Sequence, residues 1–193
     1  MAAGRGRTPK ASRAFGRGPR PPADPSSAEA ARGRAISLLS RRDYPRRALK
    51  ARLADSGFED GAAETAVAGL EDERLVSDAR YVEGAIAGRS ARGQGPLRIA
   101  LELRRQGVPE ALIREALDPR AAEWAERATE LRRRRFGAAS PANPKERARQ
   151  VRFLLQRGFS ADQVRRALGS RAAEDLEIED PGSAEDDADA GAE

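Results

Sequence analysis

The sequence predicts an all-α protein: an elongated array of three tandem three-helix repeats, each similar to a helix-turn-helix, with a disordered tail at either end. Alanine, leucine, arginine and glutamate dominate the middle of the 193-residue chain, and these residues favour helix. Valine, isoleucine and threonine are too scarce to build a sheet. A leucine-to-glycine spacing also recurs along the chain, which is typical of repeat architectures.

The repeat is a leucine followed four residues later by a glycine and then an apolar residue. Its three copies are Leu53 with Gly57-Phe58, Leu103 with Gly107-Val108, and Leu154 with Gly158-Phe159. The glycines are 50 and 51 residues apart. Because glycine readily takes the left-handed conformation that closes a helix, we expect a helix to end at each of them. The next apolar residue should pack back onto that helix.

Each copy also has a leading helix before this segment and a short helix after it. Ser160 and Gln163 have the spacing of a capping box, and Pro109 suits a first helical position. Helix starts are expected at Asp118-Pro119 and Asn143-Pro144, and leading helices at about 29–41, 77–90 and 120–136. The expected total is nine helices. Since a unit of roughly 45 residues buries little alone, neighbouring units should stack.

Composition at the two ends sets the domain boundaries. The N-terminal end is rich in Arg, Gly, Pro and Ser and the C-terminal end in acids, so neither can bury much apolar surface. The predicted boundaries are 1–27 for a disordered basic tail, 28–74, 75–118 and 119–170 for repeats 1, 2 and 3, and 171–193 for a disordered acidic tail.

Charge is distributed unevenly around a formal net value of +5. Residues 172–193 hold ten acids and no base, so the rest of the chain carries +15. Residues 1–34 supply +6 of this and residues 35–171 supply +9. Such an excess suits an anionic partner. One hypothesis is that the acidic tail folds back on the basic repeats and weakens non-specific DNA binding; a purely solubilising tail is the alternative.

The absence of histidine and cysteine removes imidazole bases, thiolate nucleophiles and the usual zinc ligand sets. No Gly-Lys-Ser or Gly-Lys-Thr forms a P-loop, and Gly93-Gln94-Gly95 lacks the third glycine of a dinucleotide fingerprint because Arg98 stands there. We therefore predict a monomeric protein that binds a partner, with no catalytic residue, cofactor or metal. The lack of a long apolar stretch predicts no membrane span, and the lack of cysteine fits the cytoplasm.

Eight arginines are the candidate contact residues. They are Arg89, Arg92, Arg98, Arg104 and Arg105 in the second repeat, and Arg149, Arg152 and Arg157 in the third. Arginine pairs with phosphate or carboxylate through two parallel hydrogen bonds, and nearby glycines let the backbone approach a partner. Ordinary solvated arginines on a flexible turn are the alternative. The run Arg132–Arg135 is interpreted as a solvated face, with contact to a partner as the alternative. The aromatic residues are interpreted as core rather than as base-stacking groups.

Three motifs occur in order over about residues 34–169. The central one comprises Leu75, Asp78, Tyr81, Arg89, the Gly93-Gln94-Gly95-Pro96 turn, and Glu102-Leu103 before Gly107-Val108. This pattern resembles the central motif of the bacterial RecX regulatory family. Residues 152–168 resemble the family's third-repeat signature. Leu38-Leu39 with Arg42, Leu49, Leu53 and Gly57-Phe58 is similar to its first repeat.

The resemblance implies a regulator of the RecA recombinase, with a place in recombination, DNA repair and the SOS response. RecX proteins lie in the groove of the RecA–single-strand DNA filament and mostly dampen recombinase, ATPase and coprotease activity. The arginines would then pair with acidic groove residues or DNA phosphate, and single-stranded DNA would be bound weakly or through the filament. The alternative is a helix-turn-helix-like protein that binds DNA directly, without RecA.

Overall fold

The computed structural model describes residues 21–118 and 121–169, and within these ranges the chain is entirely helical, with no strand. The helices are α1 (Ala28–Leu39), α2 (Arg46–Asp55), α3 (Asp60–Asp72), α4 (Asp78–Ala91), α5 (Pro96–Arg105), α6 (Glu110–Ala116), α7 (Ala122–Phe136), α8 (Pro144–Gln156) and α9 (Ala161–Leu168). The predicted nine helices in three groups of three are therefore confirmed for the described residues. Residues 1–20 and 170–193, which hold most of both predicted tails, and Pro119-Arg120 lie outside the described residues.

A glycine with left-handed backbone follows the middle helix of each group, as the repeat predicts. Its φ is +96° at Gly57, +79° at Gly107 and +87° at Gly158. The amide after each glycine donates to the carbonyl of the repeat leucine: Phe58 to Leu53 at 3.2 Å, Val108 to Leu103 at 3.2 Å, and Phe159 to Leu154 at 3.3 Å. This hydrogen bond closes the helix and folds the following apolar side chain onto it.

The helix starts follow local capping chemistry. The Asn143 side chain accepts a hydrogen bond from the Glu146 amide at 2.9 Å, with Pro144 in the first turn of α8. Ser160 and Gln163 form both bonds of the predicted capping box. Pro109 precedes α6 instead of opening it, a shift of one residue that is ordinary at a helix end. Helix α7 begins at Ala122, slightly later than predicted.

The first compact unit comprises the described residues up to Arg42 together with Leu49–Leu75. Helix α1 packs on α3, and small side chains allow close contact. The buried apolar residues of this unit are Ala31, Ala35, Leu49, Leu53, Phe58, Ala62, Ala63, Ala66, Val67 and Leu70. Residues 21–27, part of the predicted basic tail, contact this unit, because the Pro25 carbonyl accepts from the Glu59 amide at 2.9 Å.

The second compact unit comprises Asp43–Ala48 and the described residues from Val76 onward, and it contains repeats 2 and 3. One continuous core runs through both repeats, from Val82 in α4 to Leu168 in α9. Trp124, near the start of α7, is 2% exposed, and its indole Nε1 donates to the Asp118 carbonyl at 3.1 Å. Repeats 2 and 3 thus bury their apolar faces jointly, as expected for units too small to do so alone.

Candidate interaction surface

The glycine-rich turn before α5 joins repeat 2 to repeat 3 through its backbone. The Gly95 amide donates to the Arg157 carbonyl at 2.7 Å, and the Leu97 amide donates to the Gly158 carbonyl at 3.1 Å. The first amides of one helix thereby donate hydrogen bonds to carbonyls at the end of another helix. Both kinds of group lack a hydrogen-bond partner within their own helix. A Cβ on Gly95 would lie 2.4 Å from the Gly158 carbonyl carbon, so only glycine fits.

Two of the candidate arginines reinforce this junction. The Arg98 guanidinium donates to the Gln156 carbonyl at 3.2 Å. In the other direction, from repeat 3 to repeat 2, the Arg157 guanidinium donates to the Arg92 carbonyl at 3.2 Å. The structure therefore brings Arg92, Arg98 and Arg157 together at the meeting point of α5 and α8.

Arg89 forms a partly buried ion pair with Glu102. Its Nε lies 2.6 Å from the carboxylate, and its side chain is 17% exposed. Burial alone would lower the pKa of Arg89, but hydrogen bonds to Glu102 and Tyr81 outweigh burial and raise it. The hydrogen bond from Arg89 lowers the pKa of Glu102, with burial opposing it. Arg98 adds a longer contact of 3.6 Å to the same carboxylate.

Arg104 is neutralised by Glu110 across the turn between α5 and α6. Its Nε and Nη2 lie 2.8 Å and 2.6 Å from the two carboxylate oxygens, a bidentate pair on the surface. The hydrogen bond from Arg104 also lowers the pKa of Glu110. Arg89 and Arg104 thus carry charges that are already compensated within repeat 2.

Five candidate arginines have no carboxylate partner among the described residues: Arg92, Arg105, Arg149, Arg152 and Arg157. Arg149 lies 5.6 Å from the centroid of the Phe136 ring, and Arg157 lies 5.1 Å from that of Phe153. The two rings meet edge to face at 5.3 Å. Arg149, Phe153 and Arg157 recur every four residues, which places them on one face of α8 and its C-terminal cap. We call these three residues the α8 stripe.

The structure qualifies one interpretation of the sequence around the α8 stripe and corrects another. Phe153 packs against the core as predicted, but both it and Phe136 are only half-buried and are flanked by arginines. Arg132 is only 5% exposed, whereas the rest of its run is exposed. Its guanidinium donates to the carbonyls of Ala139 at 3.0 Å and Ala138 at 3.4 Å, and so holds the chain that leaves α7.

A groove of about 370 Å³ lies between α5 and the end of α8. We call it the junction groove; it is lined by Leu97, Arg98, Leu101, Glu102, Arg105, Leu155, Gln156 and Gly158. Leu97, Leu101 and Leu155 are 49%, 45% and 36% exposed. Sequence reasoning missed this groove, although Leu97, Leu101 and Arg105 also recur every four residues.

Within the described ranges, no three His, Cys, Asp or Glu side chains gather as a metal site would require. No described helix is long and apolar enough to cross a membrane.

Comparison with known proteins identifies the architecture. Models of the first, second and third three-helix domains of RecX match residues 31–70, 77–117 and 122–168, respectively. The chain belongs to the RecX family. Membership assigns it a regulatory role, and the three RecX domains account for its three groups of helices.

Individual RecX relatives agree with this assignment. The Regulatory protein RecX of Halorhodospira halophila is 41% identical over 150 residues, which are 78% of this chain and 93% of the relative. That of Chromohalobacter salexigens is 42% identical over 134 residues, 69% of this chain and 88% of the relative. The crystal structure of RecX from Lactobacillus salivarius shares the fold, with a TM-score of 0.63 at 20% identity over 72% of this chain and 93% of that one.

Proposed function

We propose that this RecX-family protein binds the RecA–single-strand DNA filament and modulates it, mostly by inhibiting recombinase, ATPase and coprotease activity. The observation that carries the proposal is the group of five arginines on the second unit whose charge no described carboxylate compensates. Such a surface is attracted to acidic protein and to phosphate, both of which a nucleoprotein filament offers. The choice of RecA rests on the resemblance of the central motif to RecX regulators.

Among the eight candidates, Arg152 and the two arginines of the α8 stripe, Arg149 and Arg157, are best suited to contact the filament. A guanidinium that lies against an aromatic ring keeps its charge and its N–H donors available to a partner. Arg149 is in this state, and so is Arg157 apart from the Nη1 group that donates to the Arg92 carbonyl. Arg89 and Arg104 instead stabilise repeat 2 through Glu102 and Glu110. The proposed contact surface therefore runs along α8 and extends to Arg92 and Arg105.

Direct DNA binding without RecA is the second candidate, because α5–α6 and α8–α9 are each two helices joined at a tight turn. The second helix of such a pair reads the major groove and needs free donors. In α9, however, Arg165 and Arg166 both pair with Asp162, at 3.5 Å and 3.0 Å. Helix α6 carries Glu110 and Glu115 beside its single arginine. The paired arginines of α9 and the excess of acid over base on α6 favour filament binding over base reading.

One assay separates the two candidates: RecA-dependent ATP hydrolysis on single-stranded DNA, titrated with this protein. Filament modulation predicts inhibition at protein concentrations far below those that saturate the DNA. Inhibition that appears only as the DNA becomes saturated would support direct DNA binding. No effect on ATP hydrolysis at any concentration would refute the proposed function.

The contact surface is tested by the double variant Arg149→Gln/Arg152→Gln in the same assay. Loss of two central cationic contacts should raise the half-inhibiting concentration about tenfold, equivalent to ~1.4 kcal/mol. The matched control is Arg133→Gln/Arg134→Gln, which removes the same charge from exposed positions of α7. An equal loss in both double variants would mean that net charge, and not the α8 surface, sets the affinity.

A further inference from the structure

We propose that the junction groove is an intramolecular docking site for the chain's own acidic segment 174–180. This inference does not depend on RecA as the partner. It rests on the exposed leucines of the groove, the charge of its rim, the sequence of the segment and the length of chain that connects the two.

The apolar side chains of the groove are unusually exposed. Among the described residues only five large hydrophobic side chains are exposed, and Leu97, Leu101 and Leu155 converge on this one site. Gly158 also lines the groove, and because it has no side chain it leaves the space between α5 and α8 open. Exposed apolar surface gathered in this way marks a binding site for another apolar group.

The rim of the groove is basic. Arg98 and Arg105 line it, and Arg105 has no ion-pair partner among the described residues. The one carboxylate in the lining, Glu102, already accepts from Arg89 at 2.6 Å. Arg152 lies one helical turn before Leu155, on the same side of α8. An occupant should therefore combine apolar side chains with carboxylates.

The segment 174–180 has this combination. It reads Glu174-Asp175-Leu176-Glu177-Ile178-Glu179-Asp180, five carboxylates around two large apolar side chains. Leu176 and Ile178 are also the only large apolar residues in the sequence from 171 to 193. The leucines of the groove would accept these two side chains, and the arginines of its rim would pair with the flanking carboxylates.

The connecting chain is long enough. Helix α9 has eight residues, so it is about 12 Å long. It begins at Ala161, only three residues after Gly158 in the groove, a step of at most ~11 Å. From Leu168, the last residue of α9, the chain reaches Leu176 in eight steps, which can span up to ~28 Å when extended. Leu176 can therefore return to the groove even when α9 points directly away from it.

Docking of this segment would cover Arg98 and Arg105 and would place the acids of the tail beside the cations that attract an anionic partner. The segment would thus compete with any partner that uses this side of the second unit. A bound partner and a bound segment would exclude each other, so the groove would regulate access to the basic surface.

The cysteine-free sequence allows a direct test in the full-length protein. Gln156→Cys places a single thiol in the lining of the groove without removing a leucine. Its alkylation rate by a maleimide is compared with and without the tail substitutions Leu176→Ser/Ile178→Ser. We expect alkylation to be about threefold faster or more when the two apolar side chains are removed, because the docked state then becomes less populated.

A second thiol serves as the control. Ala87→Cys lies in a different groove, between α4, α6 and α7, and its alkylation rate should not respond to the tail substitutions. Leu101→Gln, combined with Gln156→Cys, should speed alkylation as the tail substitutions do, because it weakens the same contact from the side of the groove.

Equal alkylation rates of Gln156→Cys with either tail would overturn the proposal. So would an equal increase at Ala87→Cys, since the tail would then act on the whole surface and not on the groove. Protection that increases with protein concentration would show that a second copy, not the same chain, occupies the groove, and would also overturn it.

Discussion

At the scale of single residues, Gly95 and Gly158 allow two backbone segments of the second unit to meet in close contact. A Cβ on Gly95 would lie within 2.5 Å of three backbone atoms of Gly158 and Phe159, none of which belongs to a flexible side chain. Gly95→Ala must therefore push α5 away from α8 and weaken the hydrogen bonds of the junction. We expect it to lower the free energy of unfolding by about 1–3 kcal/mol, measured by urea denaturation.

The matched control for Gly95→Ala is Gly84→Ala. Gly84 lies within α4, and a Cβ there would have no neighbouring atom within 4 Å. Because alanine favours helix over glycine, this variant should gain about 0.5–1 kcal/mol. A Gly95→Ala protein as stable as the wild type would contradict the close packing described for the junction.

The pair of Arg89 and Glu102 predicts a dependence of stability on pH. The pKa of Glu102 is lowered in the folded protein, so its contribution is complete above the ordinary glutamate pKa of about 4.3 and is lost as pH falls through the folded value. Glu102→Gln should therefore destabilise the protein at pH 7, and the difference from wild type should shrink below about pH 4.3. Urea midpoints at pH 7, 5, 4 and 3 measure this.

A glutamate without an ion pair serves as the comparison for Glu102. Glu126→Gln, on an exposed position of α7, removes the same charge without breaking a described pair. A difference between wild type and Glu102→Gln that stays constant down to pH 3 would mean that the carboxylate contributes by packing, not by charge.

Residue-level predictions succeeded where the determining contacts are local. The left-handed glycines could be predicted because each closes the helix immediately before it, as Gly57 does for α2. The role of Gly95 could not, because its partner Gly158 is distant in the sequence and only the packing of α5 on α8 brings them together. Arg89 and Arg104 could not be distinguished in advance from arginines with free charge, because the carboxylate that each side chain reaches depends on how α4, α5 and α6 meet in the folded protein.

At the scale of helices, the capping box of α9 provides a test. The Ser160 hydroxyl accepts from the Gln163 amide at 3.3 Å, and the Gln163 side chain accepts from the Ser160 amide at 2.9 Å. Ser160→Ala leaves that first-turn amide without its acceptor, so it should cost about 1 kcal/mol of stability by thermal or urea unfolding.

The comparison for Ser160→Ala is Ser90→Ala. Ser90 lies inside α4 and its hydroxyl donates only to the Ala87 carbonyl, which already belongs to a helix. Alanine at that position should be neutral or slightly stabilising. Similar losses from both serines would argue against a specific capping contribution at Ser160.

Helix positions were predictable to within a few residues because caps and stops lie next to the residues they affect. The starts of α8 and α9 followed from Asn143-Pro144 and Ser160, respectively. The junction groove was not predictable, because the leucines of α5 are exposed only through the particular way that α5 meets α8. The amphipathic pattern of a helix does not specify which apolar residues its neighbours leave uncovered.

At the scale of the whole molecule, the division of charge predicts an effect of the C-terminal acids. Deletion of residues 172–193 removes ten acids and leaves +15 on the rest. Affinity for single-stranded DNA, measured by fluorescence anisotropy at low salt, should therefore increase. The increase should disappear at high salt, where such charges are screened. Equal affinities at low salt would show that the acids do not compete with DNA.

The three tandem repeats predicted from the sequence are present, and the described residues that form them divide into two compact units. Repeats 2 and 3 share one core, which contains Val82 and Ile99 of repeat 2 together with Trp124 and Phe159 of repeat 3. Spacing along the chain identifies the repeats, but it does not determine whether the hydrophobic cores of adjacent repeats merge. That depends on the volumes of side chains that meet only in the folded protein.

The two backbone hydrogen bonds at the junction also make repeat 2 sensitive to motion in repeat 3. The amides of Gly95 and Leu97 donate to carbonyls at the end of α8, so they can exchange deuterium only when α5 separates from α8. Amides in the middle of α5 exchange when that helix itself unwinds. In heavy water, the exchange rates of the Gly95 and Leu97 amides therefore report how often repeats 2 and 3 separate. The exchange rates of amides in the middle of α5 report how often repeat 2 unfolds locally without that separation.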